Sequence, residues 1–353
     1  GVKEIKEGTY KPSDRIDPYA RDFLVELMDN RVPEHAKTSN PHITAKENST
    51  SWKKRQAGTA SEPSQLSFSH HIVAAHSPDL SEVDAALRSA PYETGFSPIA
   101  WEIITDFQIL KKTLVYEVAQ MRSITLMVAL YNENNKKLAR DGMKHAESVG
   151  ALPKEQFGGR AGMCAAILAM EKVIAFDIIR QQHLPATHEG LDASQCYDRM
   201  AHPPAGLAMN KSGAHEEGTE SMFKVLQNAE HKVTAAFEVS KSTYGGRKQI
   251  QQGKLAIQSI GQGNGAGPFG FLAQSGNCIE AMRRKGYGAL YTACISLVYI
   301  FMVCFIYVDD DDIQVSAKST WRDLRNPWIT GSACRHVQEE QSTRINCTGT
   351  SWT

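Results

Sequence analysis

The sequence predicts an α+β fold, on three observations. Helical periodicity sets in from about Asp79 and recurs along the chain. Leu191–Tyr197 looks like a short strand turning into a helix, and His231–Tyr244 alternates in part through Val233, Ala235, Phe237 and Val239. The resulting order of helix, strand, helix and strand pair is that of an α+β domain.

Residues 1–60 are polar, rich in Lys, Ser, Asn, Pro and His, and read as a disordered tail with one short helix at Pro18–Met28. Either Asp79 or Ser81 is placed to cap the next helix, ahead of Glu82, Val83, Ala86 and Leu87. Helices are expected over about Arg140–Val149 and Met163–Gln182. In the second, Ala166, Ile167, Met170, Val173, Ile174, Phe176 and Ile179 make a wide apolar face. Gly190 ends the following loop, and residues 218–230 form a further helix.

Lys plus Arg and Asp plus Glu are 39 each, and the hydrophobic share is 41%, ordinary for a globular chain. Net charge therefore excludes nothing, and where the charge sits matters more. Lys241, Arg247, Lys248, Lys254, Arg283, Arg284 and Lys285 face a single acid, Glu280, across 240–288. That stretch suits a phosphate backbone or, taken alone, a solvated loop. Seven cysteines without a CxxC pair argue against a disulfide framework and a zinc site, and point to an intracellular, cytoplasmic or nuclear setting. Asn48-Ser49-Thr50 and Asn346-Cys347-Thr348 fit the glycosylation pattern, which carries no weight without a leader.

Ala289–Val308 carries no charge and is long enough to cross a bilayer. Its β-branched and aromatic content, and the aspartates that follow at 309–312, fit instead a helix end and a buried strand carrying a catalytic turn. Tyr307-Val308-Asp309-Asp310 at the end of an apolar run is the setting of a tight hairpin whose tip presents carboxylates. Upstream, Leu191-Asp192-Ala193-Ser194-Gln195-Cys196-Tyr197 puts an aspartate at a strand end with an aromatic five positions on. Aspartates brought together on rigid strands are what two-metal nucleotidyl transfer needs, because metals about 3.5–4 Å apart must grip both the attacking and leaving oxygens. Mg²⁺ suits such a carboxylate-poor, phosphate-rich site. Cys196 reads as a core thiol, His70-His71 as structural or exposed, and Asp198 as a helix-start residue or one set behind the metal ligands rather than a ligand itself.

In their order these motifs resemble those of reverse transcriptases of the retroelement type, closest to the non-LTR group, from about Ala60 to Ile313. Thr59–Ser64 with His70 and His71 loosely resembles the family's N-terminal extension motif. Pro98, Trp101, Lys111-Lys112 and Arg122–Leu126 resemble the first fingers motif, with Ser123 where a proline is usual. Gln156-Phe157-Gly158-Gly159-Arg160 resembles the second, with Arg160 at the position that touches the triphosphate. Asp192 matches the catalytic aspartate of motif A, and Tyr197 the gate against a ribose 2′-hydroxyl. Gly261–Pro268, including Gln262 and Gly263, matches motif B, and Tyr307–Asp310 motif C.

The resemblance implies the fingers and palm of a right-hand polymerase, with helices packed on an antiparallel palm sheet. It puts extension and fingers at 61–190 and the palm at 191–313, with 218–260 partly a connecting helix and hairpin. It implies an RNA-directed DNA polymerase with Asp192, Asp309 and Asp310 holding two Mg²⁺ or Mn²⁺ ions. Arg160, Tyr197, Gln262, Gly263, Arg122 and Lys111 would meet deoxynucleoside triphosphates over an RNA or DNA template with primer. No membrane and no defined protein partner are expected.

After Ile313 the likeness stops. Residues 314–353 show no long amphipathic helix, so the thumb is expected to be missing and the chain to be a truncated gene or a working fragment. Two alternatives stand beside the polymerase: a remnant that binds nucleic acid without synthesis, and a protein anchored in a membrane through 289–308.

Overall fold

The structure, a computed structural model, describes residues 2–30, 32–33, 36–37, 39–62, 66–117, 120–183, 186–192, 196–235, 238–254, 256–284, 303–307 and 310–316. Asp17 before Pro18 is a helix start, and after α1 (Val2–Glu7) the helix α2 (Pro18–Asp29) begins there, the Asp17 carboxylate accepting from the amides of Tyr19 and Ala20. Thr44 and Glu47 close a capping box on α3 (Ala45–Lys53). These helices correct the expectation of a disordered tail over 1–60. Ile5, Leu24, Leu27 and Met28 cluster with Leu207, and Trp52 is fully buried. A few large apolar side chains anchor a segment whose average composition is polar.

The helix α4 (Phe68–Ala74) is followed by α5 (Pro78–Thr94), capped by Ser77 rather than Asp79 or Ser81. Pro78, pre-set for the first helical position, moves the start upstream and leaves Asp79 in the first turn. The next helix, α6 (Ala129–Ser148), is twice as long as periodicity suggests, because its buried face includes Asn132, Glu133, Asn134 and Asn135. Those side chains belong to a polar network. Arg88, 1% exposed, donates to Asn48 (2.7 Å) and Asn134 (3.1 Å), while Arg55 grips Glu133 through two bonds of 2.7 Å. Trp52 Nε1 donates to Asp84 at 2.6 Å, and His71, stacked on the Trp52 ring, lies 3.3 Å from the same carboxylate. Burial works against the charge on Asp84, but bonds from His71, Trp52 and Asn48 hold its pKa below the ordinary value. The network ties α3 to α6 together.

Beyond α6 come α7 (Ala165–Gln181), α8 (His202–Lys211), α9 (Glu216–Asn228), α10 (Gly246–Gln251) and α11 (Gly267–Arg284). The apolar face expected of α7 is not core. Of that helix Leu168 and Ala175 are buried, while Met170, Val173, Ile174 and Phe176 are exposed. The helices α6 and α11 pack closely, since a Cβ on Gly142 would stand 2.5 Å from the Phe269 ring. One buried cluster runs from Ile43 to Ala273, so the expected fingers and palm share a core.

The strands are β1 (Ile103–Leu110), β2 (Met121–Leu126), β3 (Ala186–Asp192), β4 (Glu230–Thr234), β5 (Tyr244–Gly245), β6 (Val303–Tyr307) and β7 (Asp310–Ser316). They form a four-stranded sheet of order β2-β1-β4-β5, in which β1 and β4 are parallel, and an antiparallel three-stranded sheet of order β3-β7-β6. The α+β class holds. The apolar run expected to carry a strand does so over Val303–Tyr307, and no helix among the described residues is long and apolar enough to cross a membrane. Residues 289–302 and 317–353 lie outside the described residues.

Candidate active site

The three-stranded sheet sets the register of the aspartates. Along β3 and β7 Asp192 stands opposite Asp310, and along β6 and β7 Tyr307 stands opposite Asp310. Two residues, 308 and 309, connect β6 to β7, the loop length of a tight hairpin. Asp309 itself lies outside the described residues, so the partner seen across from Asp192 is Asp310 where sequence reasoning named Asp309 first. Directly opposed positions of an antiparallel ladder occupy one face of the sheet. Two carboxylate residues at such positions are a donor set that suits a hard divalent cation. Among residues with described side chains, which do not include Asp192, Asp309 or Asp310, no group of three His, Cys, Asp or Glu is placed to hold a metal.

The segment after Asp192 turns through a 3₁₀ stretch, Cys196–Arg199, with Cys196 buried as a thiol should be in the core. Tyr197 is half-buried and packs on α11. Its carbonyl accepts from the Ile260 amide at 3.0 Å, its ring centroid lies 5.9 Å from that of Phe271, and a Cβ on Gly267 would meet the ring at 3.4 Å. The Gly-rich run is fastened to β2 and α6. Thr125 N–H donates to the Gln262 carbonyl at 2.7 Å, and Asn132 bridges Gly263 and Gly265, donating to the one carbonyl (3.1 Å) and accepting from the other amide (2.7 Å). A P-loop would leave its amides free for phosphate; here those of Gly261, Asn264, Gly265, Ala266 and Gly267 are already bonded within the fold.

Between the sheet and this run lies a cavity of about 180 Å³, bounded by Asp106, Thr125, Asp198, His231, Tyr244 and Ser259 among others. Asp106, on β1 and 5% exposed, accepts from Tyr244 Oη and lies 2.8 Å from His231 Nδ1 on β4. Burial opposes its charge, yet the bonds from His231, Tyr244 and Thr125 keep its pKa low. Asp198 goes the other way: burial first, then the Asp106 charge, push it up, against a bond from Ser259 and the charge of Lys111. Tyr244 is pushed up by burial and by Asp106. Two carboxyls driven apart across one small cavity make an ionised acceptor and a more readily protonated partner. Sequence reasoning singled out none of Asp106, His231 and Tyr244 for this site. Asp106 as the one charged residue of the β-patterned Ile103–Leu110 run is the one signal available.

The candidate cations divide. Lys111 is exposed, with its charge reaching Asp198, and Arg122 is exposed on β2 opposite Ile109. Arg160 is held elsewhere. Its guanidinium grips Glu147, in the last turn of α6, at 2.8 and 2.9 Å, and donates also to the carbonyls of Pro153 (2.8 Å) and Gln156 (3.1 Å). The loop before it docks on α11 through Gln156 and Ser275, 2.8 Å apart. Of the basic stretch, Arg247 pairs with Glu102, and Glu280, its one acid, pairs with Lys211 outside it.

The chain matches no protein-family model and no curated protein sequence.

Proposed function

We propose that this chain carries the fingers and palm of an RNA-directed DNA polymerase, with Asp192, Asp309 and Asp310 as its carboxylates. One observation carries the reading: Asp192 and Asp310, far apart in sequence, are opposed in one β-ladder, and Asp310 opens the second strand of the hairpin that follows the apolar run. Divalent cations bound there would lower the pKa of a primer hydroxyl and hold the triphosphate. The chain's own part is to fix the carboxylates on paired strands and to seat Tyr197 against α11 beside them in sequence. Lys111 and Arg122, both exposed, supply the cations for an incoming triphosphate.

The test is extension of a primer on an RNA template with deoxynucleotides and Mg²⁺. Wild-type extension abolished by Asp192→Asn and by Asp310→Asn, at unchanged thermal stability, is the expected result. Extension that survives either change removes the assignment.

A second reading, nucleic-acid binding without synthesis, is favoured by the state of Arg160. The side chain that the resemblance assigns to the triphosphate is saturated by Glu147 and two carbonyls. Under that reading the aspartate variants change nothing that the wild type does.

A further inference from the structure

A cavity larger than the one beside Asp198 lies elsewhere in the fold. It is a cleft of about 540 Å³ between α3, α5 and α6, on the side of the fold where sequence reasoning expected a disordered tail. Seven of its lining side chains are Lys or Arg, against Glu47 and Asp141. Both acids are occupied. Glu47 caps α3 through Thr44, and Asp141 is taken by Lys137 and by the Ser39 hydroxyl at 3.2 Å. Arg55 and Arg88 lean on the buried Glu133 behind the wall. Lys46, Lys54, Arg140 and Lys144 are exposed and form no ion pair among the described residues.

The spacing of these four is orderly. Lys46, Thr50 and Lys54 recur every fourth residue along and just beyond α3, and Arg140 and Lys144 do so on α6, so each wall carries polar groups about 6 Å apart along its helix. A ladder of charges on two walls suits an extended polyanion better than one compact phosphate. The cleft is far too small for a duplex, and no aromatic ring other than His42 lines it, so bases have nothing to stack on.

We propose that this cleft binds the phosphate backbone of a single-stranded nucleic acid, without regard to sequence. The inference shares a partner with the function proposed above but does not need its carboxylates, and the experiment separates the two.

Fluorescence anisotropy of the full chain with labelled deoxythymidine and deoxyadenosine oligomers of increasing length reads it directly. Binding should tighten with length, differ little between the two bases, and weaken steeply with salt. Each phosphate contact on a single strand adds about 0.7 to the slope of log affinity against log salt concentration. Lys46→Gln with Lys54→Gln, and Arg140→Gln with Lys144→Gln, should therefore each flatten the slope by about 1.4, and the fourfold variant by about 3. All four positions are exposed, and either pair alone serves should the fourfold variant melt early. Read without Mg²⁺ or nucleotides, this slope stands or falls apart from primer extension, and Lys3→Gln with Arg180→Gln, exposed and outside the cleft lining, should leave it as in wild type. An unchanged slope in both pairs overturns the proposal. So does length-independent binding displaced by equimolar inorganic triphosphate, which would mark a compact polyphosphate site, or an equal flattening in Lys3→Gln with Arg180→Gln.

Discussion

Gly263 and Thr125 meet backbone to backbone: a Cβ built on Gly263 would stand 2.5 Å from the Thr125 carbonyl oxygen. The glycine also has φ of 127°, where L-residues are strained, and the neighbouring Gln262 carbonyl accepts from the Thr125 amide. Gly263→Ala should therefore push the Gly-rich run off β2. Strain and overpacking together should cost about 3 kcal/mol, read as a lower urea midpoint at unchanged slope. A variant as stable as wild type would mean that the run is not pinned there.

The glycines of this run are legible in the sequence, and so are the helix beginning at Pro18, the α7 helix, and the strand within the apolar stretch. Each rests on a local signal: a cap, a proline, a period or a special dihedral. What stayed hidden is long-range and polar. The first half of α6 reads as a solvated segment because Asn132–Asn135 are polar, yet Glu133 is fully buried against Arg55 and Arg88. No periodicity rule finds an amphipathic helix whose inner face is charged. The same applies to Asp106, His231 and Tyr244, which come from three strands and meet only through the register of β1, β4 and β5. Conversely, the period of α7 was real but did not say whether its apolar face is covered.

The Arg160–Glu147 pair gives the second prediction. Arg160 is 11% exposed and Glu147 34%, and the guanidinium also closes two backbone carbonyls. Arg160→Ala should lower stability by about 1–2 kcal/mol, since hydrogen bonds to a charged group are lost in a half-dry setting. Glu147→Ala should do the same, and the double variant should lose less than the sum, with a coupling of about 1 kcal/mol. Additive losses would show that the two side chains do not hold each other. In that case Arg160 is free for a triphosphate.

His202 gives an acid-limb prediction. Its ring is buried against Phe223, Nε2 lies 2.7 Å from the Ser259 carbonyl, and Nδ1 has no hydrogen-bond partner among the described residues. Burial pushes its pKa down to about 4 from 6.5, partly offset by the Ser259 bond. The unfolded chain therefore takes up the proton first. The neutral ring's contribution is fully present above about pH 6.5 and is lost as pH falls toward 4, by of order 3 kcal/mol in all. Asp84 and Asp106, whose carboxyls are held low, add losses of the same sign at more acid pH. In His202→Gln the fall between pH 6.5 and 4 should shrink while the more acid fall remains. An identical pH–stability curve in wild type and variant would place the titration elsewhere.

Tyr197 decides between packing and sugar selection. Its ring is half-buried, tilted on Phe271 and set over the spot where Gly267 lacks a side chain. Part of its effect must therefore be structural, and Tyr197→Val should cost about 2 kcal/mol, less than a full core aromatic deletion. Tyr197→Phe keeps the ring and should cost less. If the polymerase reading holds, the ring also excludes a 2′-hydroxyl, a repulsive device that sets specificity without adding affinity for the right substrate. The valine variant should then incorporate ribonucleotides while its deoxynucleotide rate falls no further than its stability explains, and the phenylalanine variant should stay selective. Primer extension with each nucleotide class, run well below the melting temperature of the weakest variant, reads the ratio independently of the folded fraction. A ratio unchanged in a folded, active Tyr197→Val chain would leave Tyr197 as the residue that seats α11, with discrimination residing in another side chain.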